Sequence, residues 1–168
     1  MENWSIQISK EYLKFSAAHF LIFPDGSAER LHGHNYRVFV EIDAALSRFG
    51  LVMDFKMVKP VIKELVDELN EHWLVPGEHP SLTARIREQD RICEVRYQNR
   101  YYAAPTEDVI ILPMNNTSSE NLAGWVGREL RSRLSKRFAD VSIRRMRVAV
   151  EETVGQSGVY SYESEGGP

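Results

Sequence analysis

The sequence predicts an α+β fold, with antiparallel strands carrying two long helices packed on one face of the sheet. Three observations predict it. Apolar and polar residues alternate in the first quarter of the chain, as at Trp4, Ile6, Ile8 and at Tyr36, Val38, Val40, Ile42. Two later stretches carry apolar residues at helical spacing instead. No repeat or low-complexity tract divides the 168 residues, a length that suits one domain at about 150 residues each.

The elements follow in order. Trp4–Ser9 alternates as a half-buried strand, and Tyr12–Phe20 is expected to return beside it as a second. Asp25-Gly26-Ser27 marks a turn within a loop, and Asn35–Ala44 alternates again. Asp54 can cap a helix whose stripe is Val58, Ile62, Leu65, Val66 and Leu69, running to about Trp73. Pro60 predicts an irregular or late start, and Val75-Pro76-Gly77 a stop. Residues 78–105 read as an insertion built on a hairpin, with Glu94–Tyr97 and Arg100–Ala103 flanking Gln98-Asn99. Val109–Leu112 is a short strand. Thr117-Ser118-Ser119-Glu120 fits a capping box with Thr117 as cap, ahead of a second helix through Leu122, Trp125, Val126, Leu130 and Leu134. Val141–Glu152 and Val159–Tyr162 complete the strands. One domain over residues 1–163 and a frayed tail over 164–168 are expected.

Composition narrows the function. Hydrophobic residues at 43% and charged residues at 27% support a buried core over disorder. A net charge of −3 argues against bulk attraction to nucleic acid or to an anionic membrane. No apolar run approaches the roughly 18 residues of a membrane span, and no secretory signal is visible at the N-terminus. The one cysteine, Cys93, excludes an internal disulfide and a cysteine-rich zinc module. A cytoplasmic location is expected, and any metal must be held by histidines and carboxylates.

His32-Gly33-His34 opens a strand, so its two imidazoles point to one face, roughly 6.5–7 Å apart, and can converge on one ion. His19 ends the preceding strand, from which an antiparallel neighbour could supply a third ligand. Three nitrogen ligands with a vacant fourth position is the layout of a catalytic zinc site. Spacing alone also admits histidines that are merely hydrogen-bonded.

The order of five motifs resembles the 6-pyruvoyltetrahydropterin synthase family, which includes the 6-carboxytetrahydropterin synthases of queuosine synthesis. They are Phe15-Ser16-Ala17-Ala18-His19-Phe20, Leu31-His32-Gly33-His34-Asn35-Tyr36, Val52-Met53-Asp54-Phe55, Glu120-Asn121-Leu122-Ala123 and Glu152-Thr153. The resemblance runs from about Ser5 to Tyr162. It implies a tunnelling fold: a four-stranded antiparallel sheet with two helices, three subunits closing a barrel, and rings stacking into a hexamer. It further implies that His19, His32 and His34 hold Zn2+, that the substrate is a pterin, and that sites lie between subunits of a homo-oligomer (trimer or hexamer).

Two positions depart from the family pattern. Its usual catalytic Cys lies four residues before the first His of the HGH motif, where this chain has Ala28. Glu29 follows, resembling a subgroup in which a Glu is the acid/base and 7,8-dihydroneopterin triphosphate is cleaved to 6-hydroxymethyl-7,8-dihydropterin. A carboxylate there can carry a proton of a metal-bound hydroxyl; otherwise Glu29 is a solvated loop residue. The family's Asp-His pair at the end of the first helix falls on Asn70-Glu71, one residue before His72. Either Glu71 replaces the histidine, or local unwinding turns His72 into the site, or the relay is absent.

The resemblance assigns pterin recognition to Glu152 of Glu152-Thr153, since one carboxylate can accept both the 2-amino group and the ring N–H. Strand alternation sends Glu151 to the opposite face. Ser118 and Glu120 align with residues near the pterin, although a capping box also explains Glu120. Arg30, Arg37, Arg145 and Arg147 are candidates for a triphosphate. The expected activity is a zinc-dependent pterin side-chain lyase. The alternatives are 6-pyruvoyl- or 6-carboxytetrahydropterin synthesis, and a non-catalytic pterin- or zinc-binding paralogue.

Overall fold

The alternating segments around Ile6 and Phe15 form strands, but the second does not return along the first. In a computed structural model, which describes residues 2–164, β1 (Ser5–Ile8) and β2 (Lys14–His19) lie end to end along one side of β3 (His32–Ala44). Ser5 pairs with Asp43 and Ile8 with Val40; Lys14 pairs with Arg37 and His19 with His32. The intervening residues make a local jog instead of a hairpin: Leu13 donates its N–H to the Lys10 carbonyl and accepts from Val38. Buried Leu13 then carries the apolar face onward. The predicted frayed tail lies, beyond Ser164, outside the described residues.

Antiparallel pairing continues from β3 to β9 (Ile143–Thr153) and from β9 to β10 (Gln156–Glu163). This part matches the expected antiparallel sheet. On the other flank β4 (His72–Pro76) joins β2 in parallel, and β8 (Val109–Leu112) joins β4 in parallel. The result is a seven-stranded mixed sheet, wider than the four strands expected. Trp73, Leu74 and Val75 are buried in succession, as in a strand covered on both faces. The insertion is also larger than a hairpin. β5 (Leu82–Arg87), β6 (Ile92–Tyr97) and β7 (Arg100–Pro105) form a separate antiparallel meander.

The helices are α1 (Phe55–Leu69) and α2 (Ser119–Arg137). Asp54 caps α1 by accepting from the Lys56 N–H, so the helix starts at Phe55 despite Pro60. Pro60 sits on an exposed position, where the Lys56 carbonyl that it leaves without a donor stays near solvent. α1 ends at Leu69, short of the predicted Trp73, because Glu71 takes φ +62° and its N–H turns to the Ser16 carbonyl at 2.7 Å. Both helices pack on the sheet face formed by Phe15, Ala17, Tyr36, Val38, Val148 and Val150. Gly158 of β10 lets the first turn of α2 come close, since a Cβ there would collide with the backbone of Ser119 and Glu120. A second core joins Phe20, Ile22, Trp73 and Val75 to the meander through Cys93, Val95 and Tyr97.

Candidate functional site

β2 and β3 place three histidines on one face. His19 stands opposite His32 in the antiparallel ladder, and His34 is two residues further along β3. One nitrogen from each lies within 4.8 Å of the others. The ring centroids form a near-equilateral triangle, with sides of 4.9, 5.2 and 4.8 Å.

Backbone carbonyls set two of the tautomers. A carbonyl only accepts, so His19 Nδ1–H donates to Thr117 O at 2.9 Å and His32 Nδ1–H donates to Arg30 O at 2.7 Å. Both rings therefore turn an Nε2 lone pair inward. His32 Nε2 and His34 Nε2 are 3.0 Å apart, close to the roughly 3.3 Å between two nitrogens at about 2.0–2.1 Å from one tetrahedral zinc. His19 is fully buried, and its Nε2 has no hydrogen-bond partner. A Glu152 oxygen approaches it at 3.3 Å without hydrogen-bond geometry. Such a buried, unpartnered lone pair is costly in an interior unless a cation takes it. Burial holds the His19 pKa below the ordinary histidine value, against the opposing pull of the Thr117 hydrogen bond and of Glu152. Neutral imidazole is the form a metal requires. The donor set fits Zn2+.

Two carboxylates flank the triad. Glu29 Oε2 lies 3.9 Å from His32 Nε2 and accepts from the Leu21 N–H at 3.1 Å. Glu152 Oε1 lies 3.8 Å from His34 Nε2 and accepts from the Tyr36 hydroxyl at 3.4 Å. Burial, and then Glu152, push the Tyr36 phenol far above its ordinary pKa, so it stays a donor. Glu151 faces the other way and meets Arg37 at 3.6 Å.

The remaining candidates are distributed around this centre. Glu71 and His72 share with His34 and Asp108 a cleft of about 540 Å³. The positive φ of Glu71 is the local unwinding that brings His72 to the cleft, on β4 and not on a helix. His72 Nδ1–H donates to Asn70 O at 2.7 Å. Thr153 ends β9, its hydroxyl donating to Gln156 Oε1 at 2.8 Å across the turn into β10.

The predicted capping box is displaced by one residue. Ser118 is the cap, accepting from the Asn121 N–H at 3.3 Å, which puts Glu120 at the wrong position to complete a box. Glu120 is exposed and accepts from the Ser119 hydroxyl at 3.4 Å. Thr117 is buried instead, with its hydroxyl donating to Phe20 O at 3.3 Å. Sequence reasoning missed this supporting role, because a Thr ahead of Ser-Ser-Glu reads equally well as a cap. Two of the four candidate triphosphate cations are engaged elsewhere: Arg37 with Glu11 and Glu151, Arg145 with Glu41 and Asp43.

Known proteins share this chain's sequence and fold. The family model described as 6-pyruvoyl tetrahydropterin synthase matches residues 7–163. A Methanocaldococcus jannaschii protein named a putative 6-carboxy-5,6,7,8-tetrahydropterin synthase is 34% identical over 149 residues, covering 88% of this chain and 89% of that one. A Pyrococcus horikoshii protein of the same name is 25% identical over 132 residues, 78% of each chain. Among solved structures, Plasmodium vivax 6-pyruvoyltetrahydropterin synthase superposes with a TM-score of 0.90 at 23% identity, over 98% of this chain and 100% of that one. A form of that enzyme in which a glutamate called a catalytic residue is changed to alanine superposes with the same TM-score, 0.90, at 22% identity and the same coverage. The sheet and helices thus form a tunnelling fold, and the chain belongs to the 6-pyruvoyl tetrahydropterin synthase family, whose enzymes are lyases.

Proposed function

We propose that this lyase is zinc-dependent and cleaves the side chain of 7,8-dihydroneopterin triphosphate or a close relative, giving 6-hydroxymethyl-7,8-dihydropterin. The observation that carries the reading is the pairing of the His19–His32–His34 triad with a carboxylate, Glu29, beside Ala28 where the family's usual thiol would stand. A bound Zn2+ would supply Lewis acidity, lowering the pKa of a coordinated substrate hydroxyl.

The chain's own groups carry the rest. Glu29 accepts the proton of the C2′ hydroxyl. The C1′–C2′ bond pair then flows into the dihydropterin ring and the C2′–C3′ fragment leaves as an aldehyde. Glu29 returns the same proton to C1′, so no further reactant is needed. Glu152, half-buried beside His34, accepts the 2-amino and ring N–H donors and holds the ring in register. Glu71 and His72 line the open side, where they can exchange protons with the substrate. Ser118, Glu120 and Thr153 are assigned to substrate binding with Glu152, on the strength of the family resemblance alone.

A second reading, 6-carboxytetrahydropterin synthesis, is favoured by the names of the archaeal relatives and opposed by the missing thiol at Ala28. Incubation with dihydroneopterin triphosphate and mass identification of the product decides between them. A 6-hydroxymethyl product supports the proposal; a 6-carboxy or 6-pyruvoyl product overturns it. Glu29→Gln should slow turnover by about 10²–10⁴-fold at unchanged zinc content. Binding without turnover in the unaltered protein would indicate a non-catalytic paralogue.

The reading includes assembly into a trimer or hexamer, in which the exposed edges at β8 and β10 find partners and neighbouring subunits complete the pocket. Among the described residues, no helix is long and apolar enough to cross a membrane.

A further inference from the structure

We infer that the β5–β7 meander is a clamp on the loop carrying Glu29, with Arg100 as the positioning residue that fixes this carboxylate beside the histidine triad. The inference rests on the assignment of Glu29 as acid/base.

The loop joins β2 to β3 and folds as a small hairpin. Ile22 pairs with Ala28, and the Glu29 N–H donates to Leu21 O at 3.0 Å. Asn116, ahead of α2, holds one side by accepting from the Ile22 N–H at 3.2 Å and donating to Ile22 O at 2.8 Å. The meander holds the other side. Arg100 donates to the carbonyl of Ala28 at 2.7 Å and to that of Glu29 itself. At the tip, Tyr97 and Gln98 both donate to Gly26 O, at 2.8 and 3.0 Å. Beneath these bonds the second core packs Phe20, Ile22 and Ala28 against Val95 and Tyr97.

A Glu on a free loop samples many positions, and small displacements of a proton carrier cost rate steeply. Here Tyr97, Gln98 and Arg100 all donate to loop carbonyls, and the Arg100 fork grips the two carbonyls at Glu29 and its neighbour. The fork geometry is what Lys cannot reproduce. Residues that read in the sequence as an insertion therefore bear on the reaction through one backbone segment.

Two measurements test the clamp on the full-length, zinc-loaded protein. The first is amide hydrogen exchange, which needs no substrate. Arg100→Gln and Tyr97→Phe should speed exchange of the Glu29 amide, and of the Phe23 amide that donates to Ser27 O at 2.8 Å, by about tenfold while β3 and β9 amides keep their rates. Tyr97→Phe removes one hydroxyl only and covers the case in which Arg100→Gln fails to fold. The second is a double-mutant cycle in turnover of dihydroneopterin triphosphate. Arg100→Gln should lower kcat about tenfold with KM within about twofold, Arg100→Lys should recover only part of it, and the Arg100→Gln effect should vanish in the Glu29→Gln background.

Unchanged loop exchange, or an Arg100→Gln effect that persists in the Glu29→Gln background, overturns the clamp while leaving Glu29 as acid/base. Wild-type turnover by Glu29→Gln overturns the acid/base assignment, and the positioning inference with it.

Discussion

His19 and Thr117 stand 98 residues apart in sequence and share a buried hydrogen bond of 2.9 Å, from imidazole Nδ1–H to backbone carbonyl. The bond connects the end of β2 to the turn ahead of α2. It leaves Nε2 as the only nitrogen of His19 with a free lone pair, so packing of the second helix sets the tautomer of a candidate metal ligand.

Thr117→Val tests that connection. The substitution keeps shape but removes the hydroxyl that donates to Phe20 O, loosening the carbonyl that holds His19. Stability should fall by about 1 kcal/mol, read as a lower thermal midpoint. Zinc affinity should weaken about tenfold, the lower end for groups that orient metal ligands, measured by chelator competition. Unchanged affinity would show that His19 is held by β2 alone.

Much of this site was legible in the chain. The HGH spacing places two imidazoles on one strand face because side chains two apart point the same way, and the burial of Tyr36, Val38, Val40 and Ile42 follows the same alternation. Thr117, Asn116 and Arg100 were not legible as site residues, because each acts through a backbone contact distant in sequence. His72 was misplaced on a helix because the apolar stripe of α1 runs on toward Trp73. The left-handed Glu71 that breaks it is stabilised by Ser16, a partner that no local pattern reveals. The strand β5 was missed because most of its side chains are exposed and show no apolar period.

The triad should couple metal to stability. A ligand that binds only the folded protein adds about 2.7 kcal/mol at one hundred times its dissociation constant. Calorimetry with and without Zn2+ should therefore show a clear rise in the thermal midpoint, and His32→Ala should remove it. His32 suits the test because it is more exposed than His19, so truncation leaves the core intact. A rise that survives His32→Ala would place the bound ion elsewhere.

The metal-free protein should lose stability in acid through His19. Its folded pKa lies below the ordinary 6.5, chiefly because burial disfavours the charged ring. As pH falls below that ordinary value, the unfolded chain takes up this proton first, so stability present above it is lost until the folded pKa is passed. Urea midpoints measured from pH 7.5 to 5 should drop across this window, and the His19→Gln variant should show a shallower drop. An equal slope in both would assign the acid sensitivity to other groups.

Glu152→Gln separates recognition from support of the metal. The amide keeps an oxygen for the Tyr36 hydroxyl, which bonds Glu152 Oε1 at 3.4 Å, so the local packing persists. It replaces the second acceptor with an N–H that faces two substrate donors, and it removes a negative charge beside His19 and His34. A charge-assisted hydrogen bond is worth about 1.5–3 kcal/mol, so kcat/KM should fall roughly 10–100-fold, mostly through KM, with one zinc per chain retained. Should zinc content fall instead, with KM unchanged in the metal-loaded fraction, Glu152 would belong to the metal's support and pterin recognition would have to come from another residue.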